Sequence, residues 1–367
     1  MRDNLFRRLA TLVPLALALT PLASPQALAQ SADPAEKPPI EADGTVNVPA
    51  FALPPSIYTS PEAKAAMPRK PLDMEAPMVQ ALAAGKAGEM RGRMGEFMAP
   101  RFKHYSALFP VTREETKIAG VPAIIYRPAG GVAKGNARKV LLDLPGGGFV
   151  MASAAGTGMM ESVPLASMLK TEIVSITYRQ GPEFRYPAAT EDVAAVYREL
   201  LKTHKPQDIA IFGCSAGGIL TAEAMAWFQK EKLPLPAAIG IFCASADARF
   251  EGDSHYFSRP FQHIGPDTRA RDYFSDVDRS DPMVSPVTSP GILKHFPPTL
   301  LITGTRAMDM SSAVNTHREL VKAGVDAELH LWDGHGHFFF GNIDLPESRE
   351  AYDVMAKFFR KHLKLSN

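Results

Sequence analysis

The amino-acid sequence predicts an α/β fold in which a mostly parallel central sheet is covered by helices on both faces. Two observations lead to this fold class. From about residue 113 to the C-terminus, short apolar runs alternate with helical patterns. In addition, a tight glycine-rich turn at 213–218 joins one of these runs to a helical pattern. Such alternation is typical of parallel strands, which are buried on both faces and joined by helices.

Seven apolar runs have the length and composition of buried strands. They are Val121–Tyr126, Val140–Leu144, Ile173–Tyr178, Ile209–Phe212, Ala238–Phe242, Thr299–Thr303 and Ala327–Trp332. Between the third and fourth run, apolar residues within 193–201 recur at three- and four-residue spacing, which predicts one face of a helix. Residues 347–365 predict a further helix at the C-terminus.

The first 29 residues have the pattern of a cleaved signal peptide. Three arginines lie within the first eight residues, an apolar run covers 9–22, and Ala27-Leu28-Ala29 resembles a cleavage site. The alternative is a membrane anchor, but two prolines interrupt the run and it is shorter than the ~20 apolar residues that span a bilayer. We therefore expect a secreted or periplasmic protein without stable membrane insertion.

The remaining segments predict an extended N-terminal region and an insertion. Residues 30–60 are rich in proline, alanine and charge, which predicts a flexible leader. Residues 61–112 contain weak helical spacing and predict an N-terminal helical cap segment, before a main α/β domain at 113–367. Within that domain, 247–298 separates two predicted strands by far more residues than is usual, which predicts a helical cap insertion. Such a cap would cover the carboxyl edge of the sheet, where ligands bind.

Composition excludes several classes of protein. The whole chain has a net charge of +1, and removing the predicted signal peptide, with a net charge of +2, leaves about −1. This balance argues against nucleic acid or an anionic membrane as the main partner. With only two cysteines, Cys214 and Cys243, the chain is not a disulfide-stapled scaffold. We expect two buried thiols, although an exported protein would permit a bridge. A homodimer is one of the oligomeric states that the sequence allows.

The turn at 213–218 is the strongest functional signal. It reads Gly-Cys-Ser-Ala-Gly-Gly, and a G-x-S-x-G pattern between a strand and a helix is typical of a nucleophile elbow. In such an elbow, the turn would present the hydroxyl of Ser215 above the sheet. The alternative is an ordinary strand-to-helix turn, because glycine and serine are common in both.

A serine hydroxyl needs a base to remove its proton and an acid to orient that base. After the last predicted strand, the loop at 334–338 contains two candidate bases, His335 and His337, of which His337 lies directly before an aromatic residue. A metal-binding histidine pair is the alternative, but no third ligand cluster is visible. Asp309 is the only carboxylate in the loop 304–311, although it could simply cap the following helix. The order serine, aspartate, histidine is that of the α/β-hydrolases.

Three consecutive glycines follow the second predicted strand and predict an oxyanion hole. Their backbone N–H groups can approach a developing negative charge without obstruction by a side chain. We expect the donors to be Gly147, Gly148 and Ala216. The alternative, a dinucleotide-binding loop, would need glycine at position 151, which is Met151. No cofactor and no metal are expected.

Taken together, these motifs resemble the hormone-sensitive-lipase-like esterases, the bacterial family IV carboxylesterases. The similarity runs from about residue 120 to the C-terminus and rests on P-G-G-G-F, Y-R-x-x-P-E, P-A-A-x-x-D, G-x-S-A-G-G and G-x-x-H-F. It implies an α/β-hydrolase fold with a helical cap and hydrolysis of small esters with short to medium acyl chains. It also implies that Ser215 is the nucleophile and His337 the base, with Gly147, Gly148 and Ala216 as the oxyanion hole.

This chain differs from the family pattern at three places. Pro145 stands where the family usually has histidine, and Cys214 where it usually has aspartate. The family's acid usually aligns with Ala307, whereas Asp309 lies two residues further on. Two alternatives therefore stay open: a lactonase, amidase or deacetylase with the same chemistry, or a non-catalytic relative used for binding.

Overall fold

The computed structural model describes residues 40–49, 51–67, 84–249, 251–258 and 273–366. The chain divides into two compact units, Met1–Pro54 and Pro55–Asn367. In the first unit, a short turn is closed by a β-bridge between Ile40 and Val46. The predicted signal peptide, 1–29, lies outside the described residues. All further description concerns the second unit.

The second unit contains an eight-stranded sheet in the order β1-β2-β4-β3-β5-β6-β7-β8. Its strands are β1 Val111–Ile118, β2 Val121–Pro128, β3 Val140–Leu144, β4 Glu172–Ile176, β5 Ile209–Cys214, β6 Ala238–Phe242, β7 Thr299–Gly304 and β8 Ala327–Trp332. Strand β2 is antiparallel to both β1 and β4, whereas β4, β3 and β5 to β8 are mutually parallel. The predicted fold class is therefore confirmed.

All seven predicted strands are present, and β1 is an additional strand that the sequence did not predict. It reads Val-Thr-Arg-Glu-Glu-Thr-Lys-Ile and is mostly exposed along its length. Because β1 lies at the edge of the sheet and pairs only with β2, charged side chains are tolerated there. Its start at Val111 places the predicted domain boundary at 112/113 inside the first strand.

Helices cover the sheet on both faces. The described α-helices are α1 Pro61–Ala66, α2 Ala87–Gly92, α3 Met94–Leu108, α4 Thr157–Leu169, α5 Ala188–Leu200, α6 Ala216–Lys230, α7 Asp253–Phe257, α8 Pro290–Leu293, α9 Met310–Lys322 and α10 Pro346–Leu363. Short 3-10 turns lie at Lys134–Asn136, Pro206–Asp208, Pro286–Thr288 and Phe339–Gly341. The predicted helices within 193–201 and over 347–365 correspond to α5 and α10.

The core consists of two hydrophobic clusters, one on each face of the sheet. Along β5, Ile209 and Ile211 belong to the cluster that packs against α5, α6 and α9. Ala210 and Phe212 belong to the cluster that packs against α4 and α10. Because successive side chains of a strand point to opposite faces, an all-apolar strand such as β5 fits a sheet that is buried on both sides.

The two predicted cap segments are only partly described. Of the N-terminal segment, α1, α2 and α3 are present, and 68–83 lies outside the described residues. In the interval 247–298, residues 250 and 259–272 lie outside them. The described end of this interval joins the main core, since Tyr273, Phe274 and Val284 are buried in it. The cap role of both segments stays a prediction.

Both cysteines are buried free thiols, which confirms the expectation for this pair. Cys214 ends β5 and Cys243 follows β6, the neighbouring strand. Across the described part of the chain, no helix combines the length and the apolar character that a bilayer crossing requires.

Candidate active site

Ser215 is the single residue that connects the end of β5 to the start of α6, at the carboxyl edge of the sheet. Its φ of 58° and ψ of −124° fall in a region that non-glycine residues rarely adopt, and such strain is common at functional sites. A β-carbon added to Gly213 or Gly217 would overlap the carbonyl oxygen of Leu144, so the turn requires glycine on both sides. The Ser215 N–H donates to the Phe242 carbonyl at 2.8 Å, which fixes the turn to β6.

The structure brings together the three side chains that the sequence selected from distant loops. His337 Nε2 lies 2.9 Å from Ser215 Oγ, and His337 Nδ1 lies 2.7 Å from Asp309 Oδ1. Both distances are those of good hydrogen bonds. The histidine side chain is 17% exposed and the aspartate 7%, so the site is sheltered but open at the histidine. In this arrangement, His337 can accept the proton of the serine hydroxyl, and Asp309 can hold the histidine ring in position.

Asp309 uses both carboxylate oxygens within this site. Oδ1 faces His337, and Oδ2 accepts a 2.5 Å hydrogen bond from Thr303 Oγ1 at the end of β7. Although Asp309 directly precedes α9, its side chain forms no cap hydrogen bond with that helix. The helix-cap interpretation is therefore not realised. Thr303 is a supporting residue that no motif in the sequence indicated.

A compact turn compensates for the position of the acid two residues beyond the family pattern. The Ala307 N–H donates to Gly304 at 3.0 Å, and the Met310 N–H donates to Ala307 at 3.3 Å. Arg306, which directly precedes Ala307 in this turn, donates its N–H to the carbonyl of His335 at 2.9 Å. The two loops that carry Asp309 and His337 are thereby tied to each other.

His335, the competing histidine, points away from Ser215. Its Nε2 lies 3.6 Å from the carboxylate of Glu347, and its ring centroid lies 4.9 Å from that of Phe339. Burial lowers the pKa of His335, and the neighbouring Glu347 only partly opposes this effect. Within the described residues, no three histidine, cysteine, aspartate or glutamate side chains are grouped to hold a metal ion. The His335 ring thus packs against Glu347 and Phe339 and is not the base that contacts Ser215.

The loop before His337 is held by a segment from the N-terminal part of the unit, which we call the 56–60 strap. Ser56 hydrogen-bonds to Asp333, and the hydroxyl of Ser60 donates to Glu347 at 2.9 Å. The Ser60 N–H also donates to Glu347, at 2.6 Å. Gly334 packs so closely against the strap that an added β-carbon would lie 2.7 Å from Ser56 Cβ. Sequence reasoning placed these residues in a flexible leader and missed this contact.

The glycine loop passes directly beside the elbow. Leu144, the last residue of β3, lies opposite Gly213 in the sheet, and a β-carbon on Gly146 would lie 3.2 Å from Ser215 Cβ. Gly147 and Gly148 have φ values of 146° and 61°, which favour glycine. In the described part of the chain, no acceptor pairs with the N–H of Gly147 or Gly148.

The third predicted donor, Ala216, is the first residue of α6. The first N–H groups of a helix have no acceptor within the helix, and the helix dipole favours negative charge at that end. The predicted donors therefore lie in the loop beside Ser215 and at the helix start that follows it. Such an arrangement can hold an oxyanion that forms on a carbonyl attacked by Ser215.

Beneath the elbow lies a cluster of buried acids and thiols. Burial raises the pKa of Asp143 to about 7, and burial together with Asp143 raises the pKa of Glu161 well above its usual range. Burial, followed by the neighbouring Cys243, also raises the pKa of the Cys214 thiol. Glu161 is 1% exposed, and the backbone N–H groups of Gly146 and Cys214 only partly offset the effect of burial on its pKa. The raised pKa values shift all three groups toward their neutral forms.

Comparisons with known proteins agree with this geometry. The sequence profile of a family described as having the alpha/beta hydrolase fold matches residues 141–341. An acetyl-hydrolase of Streptomyces hygroscopicus is 31% identical over 60% of this chain and 75% of its own length. A crystal structure of an esterase superposes with a TM-score of 0.74 at 29% identity, covering 88% of this chain and 99% of the other.

A second crystal structure, of an esterase from the bacterial hormone-sensitive lipase family, superposes with a TM-score of 0.64 at 26% identity. It covers 76% of this chain and 98% of the other.

Proposed function

The chain belongs to the α/β-hydrolase fold family, in its hormone-sensitive-lipase-like branch, and is a hydrolase acting on ester bonds; from this premise we propose that it cleaves carboxylic esters through an acyl-enzyme on Ser215. The family resemblance noted in the sequence is thereby confirmed. The observation that carries the mechanism is the hydrogen-bonded series from Ser215 through His337 to Asp309.

In the first half of the reaction, Ser215 Oγ attacks the ester carbonyl carbon while its proton passes to His337 Nε2. Asp309 holds the ring in the tautomer that leaves Nε2 free to accept and stabilises the imidazolium that forms. The N–H groups of Gly147, Gly148 and Ala216 hold the oxyanion. The alcohol then leaves with the proton of His337 Nε2, and the acyl group remains on Ser215.

In the second half, a water molecule gives a proton to His337 Nε2 and attacks the acyl carbon. The same N–H groups hold the second oxyanion. When it collapses, the bond to Ser215 Oγ breaks, the proton returns to the serine and the carboxylic acid leaves. No metal or cofactor takes part in either half of this mechanism.

Two observations weigh against a non-catalytic binding protein. The strained backbone conformation of Ser215 presents its hydroxyl at the helix start, 2.9 Å from His337 Nε2. In addition, the hydrogen bonds among Ser215, His337 and Asp309 are present despite the departures at Pro145 and Cys214. The predicted oxyanion donors are backbone N–H groups, which those two departures do not remove. We propose substrates with short to medium acyl chains, a choice supported by the similarity to an acetyl-hydrolase.

We further propose that residues 1–29 direct export and are then removed, so that the enzyme acts in the periplasm or outside the cell. The support is the sequence pattern of a basic start, an apolar run and a small-residue cleavage site. Mass spectrometry of the N-terminus from fractionated cells tests this. An intact Met1 terminus on cytoplasmic protein would contradict it.

The catalytic proposal is tested by labelling with a fluorophosphonate followed by peptide mapping. A single adduct is expected on Ser215, and Ser215→Ala should abolish it. Ser275→Ala, which changes an exposed serine in the same fold, is the matched control and should label normally. A wild-type protein that neither labels at Ser215 nor hydrolyses p-nitrophenyl acetate would overturn the proposal.

A further inference from the structure

Gln180 is a buried amide whose side-chain hydrogen bonds go to backbone groups, two of them on Ala152 beside the glycine loop. Its side chain lies in the Tyr178–Glu183 stretch after β4, and the residue is 2% exposed. Oε1 accepts from the N–H of Ala152 at 2.7 Å, and Nε2 donates to the carbonyl of Ala152 at 2.9 Å. Nε2 also donates to the carbonyl of Tyr178 at 3.2 Å. The amide thus binds both backbone groups of Ala152.

Ala152 in turn sets the position of Gly147. The carbonyl of Gly147 accepts from the N–H groups of Val150 and Met151, at 3.1 and 2.8 Å, and so closes a turn that ends at Met151, directly before Ala152. A β-carbon on Gly147 would overlap the backbone N of Ala152, so the two backbones are in direct contact. A shift of Ala152 would therefore move the peptide groups of Gly147.

Neighbouring contacts act on the same turn. The N–H of Gly181 donates to the carbonyl of Phe149 at 2.7 Å, and the Arg91 guanidinium donates to the carbonyls of Val150 and Gly181 at 2.5 and 3.2 Å. Pro145, at the start of the loop, has no polar side chain that could support it. The loop carbonyls of Pro145 and Gly146 instead accept from the hydroxyls of Tyr178 and Thr157, at 2.7 and 2.6 Å. Gln180 is therefore one of several supports of the loop, and it is the side chain that binds both backbone groups of Ala152.

We propose that Gln180 is a positioning residue for the oxyanion hole, acting by clamping Ala152 and thereby fixing the peptide groups of Gly147 and Gly148. This inference rests on the proposed acyl-enzyme function. Gln180 does not touch the substrate; it acts through the backbone. Because the oxyanion is absent from the bound ester and develops only in the tetrahedral intermediates and their flanking transition states, loss of the clamp lowers kcat and leaves KM nearly unchanged.

The test is Gln180→Leu, which keeps a similar volume and leaves the N–H and C=O of Ala152 without their partner. We expect kcat for p-nitrophenyl acetate to fall on the order of 10- to 100-fold. This loss is no larger than the loss of kcat that follows removal of one whole oxyanion donor. KM should change by less than about twofold. A trifluoromethyl ketone, which forms a tetrahedral adduct, should lose affinity by the same factor as kcat/KM. A merely structural role would not produce that proportionality.

The matched control is Asn136→Leu. Asn136 is also a fully buried amide that binds backbone groups, donating to the carbonyls of Leu169, Lys170 and Ser366, at 3.1, 3.3 and 3.2 Å. Its loss should lower the melting temperature to a similar extent and leave kcat unchanged. If Gln180→Leu does not fold, Gln180→Glu keeps the acceptor for the Ala152 N–H and removes the donor. It should lower kcat in the same direction.

The outcomes separate the two proposals. If the wild-type enzyme is active and labels at Ser215 but folded Gln180 variants keep their kcat, the positioning role is overturned and the proposed function stands. An equal loss of kcat in Asn136→Leu would overturn the positioning role as well. If the wild-type protein neither labels nor turns over esters, the proposed function itself fails.

Discussion

The hydroxyl of Thr303 donates a 2.5 Å hydrogen bond to the carboxylate of Asp309, on the oxygen that does not face His337. Both residues are buried, so this bond is sheltered from water. It leaves the other oxygen directed at the histidine ring. The orientation of the acid therefore depends on a residue at the end of β7, six positions earlier in the chain.

Replacing Thr303 with valine should lower kcat about 10-fold, the effect of losing one hydrogen bond to a charged group. The shape of the side chain is kept, so the fold should persist. Steady-state kinetics with p-nitrophenyl butyrate measure the effect. Thr299→Val is the matched control, because Thr299 is equally buried in β7 and its hydroxyl bonds to the Pro297 carbonyl. If both variants keep wild-type kcat, Thr303 has no orienting role.

Asp309→Asn should lower kcat on the order of 10³- to 10⁴-fold. The amide can keep a hydrogen bond to His337 but favours the tautomer in which Nε2 carries the proton and cannot accept that of Ser215. The protein should remain folded, which circular dichroism verifies. Activity near the wild-type level would mean that another group orients His337, and the assignment of the acid would then be wrong.

Gly217→Ala should prevent correct folding or destabilise the protein by more than about 4 kcal/mol, the range of severe backbone clashes. The added carbon would overlap the carbonyl oxygen of Leu144, which is fixed in the sheet and cannot move aside. Gly92→Ala is the control, because nothing lies within 4 Å of its added carbon. Urea unfolding of both variants tests the prediction, and near-normal stability of Gly217→Ala would contradict the tight elbow.

Sequence patterns predicted the strands, and the catalytic side chains that directly follow strands, because both depend on neighbouring residues in the chain. Seven strands have apolar runs, and Ser215, His337 and Asp309 follow strands whose carboxyl ends meet at one sheet edge. Strand β1 escaped prediction because, at the edge of the sheet, its charged side chains meet water and carry no periodic signal. The choice between His335 and His337 rested on one neighbouring aromatic residue, and only the loop geometry separates the two rings.

Other site features depend on contacts between distant positions, which leave no local pattern. Ser56 and Asp333 are 277 positions apart, and Gln180 and Ala152 are 28 apart. A serine in a proline-rich stretch or a glutamine after a strand looks like any surface residue until the fold brings it to its partner. For this reason the strap and the loop clamp could be recognised only in three dimensions.

The 56–60 strap gives a stability prediction that depends on pH. Burial alone would raise the pKa of Glu347, but hydrogen bonds from Ser60 and from its own backbone outweigh this and lower it. A carboxyl with a lowered folded pKa stabilises the protein above its unfolded pKa of about 4.5, and the contribution is lost as pH falls.

Glu347→Gln should therefore reduce the free energy of unfolding by about 1–2 kcal/mol at pH 7 and by much less near pH 3.5. Urea unfolding at both pH values measures the difference. Asp353→Asn is the control from the same helix, because Asp353 is an exposed carboxylate. An equal loss of stability at the two pH values would contradict a role for the charge on Glu347.

At Cys214, where the family usually has aspartate, the buried carboxyl of Glu161 should restrict which residue can precede the nucleophile. Glu161 is fully buried near Cys214, and its own pKa is raised by burial and by Asp143. Cys214→Asp would restore the family residue but add a carboxyl beside this pair. We expect a loss of stability of about 3 kcal/mol or more at pH 7, because a buried charge would lack a compensating partner.

The loss of stability in Cys214→Asp should depend on pH, because burial raises the pKa of the carboxyls in this cluster. A carboxyl with a raised folded pKa is accommodated when protonated, so its penalty grows as pH rises. Cys214→Asp should therefore be less damaging at pH 5 than at pH 8, and Glu161→Gln in the same chain should recover part of the loss. Cys214→Ala, which adds no charge, controls for the cavity. If Cys214→Asp is as stable as Cys214→Ala at pH 8, then Glu161 does not restrict which residue can precede the nucleophile.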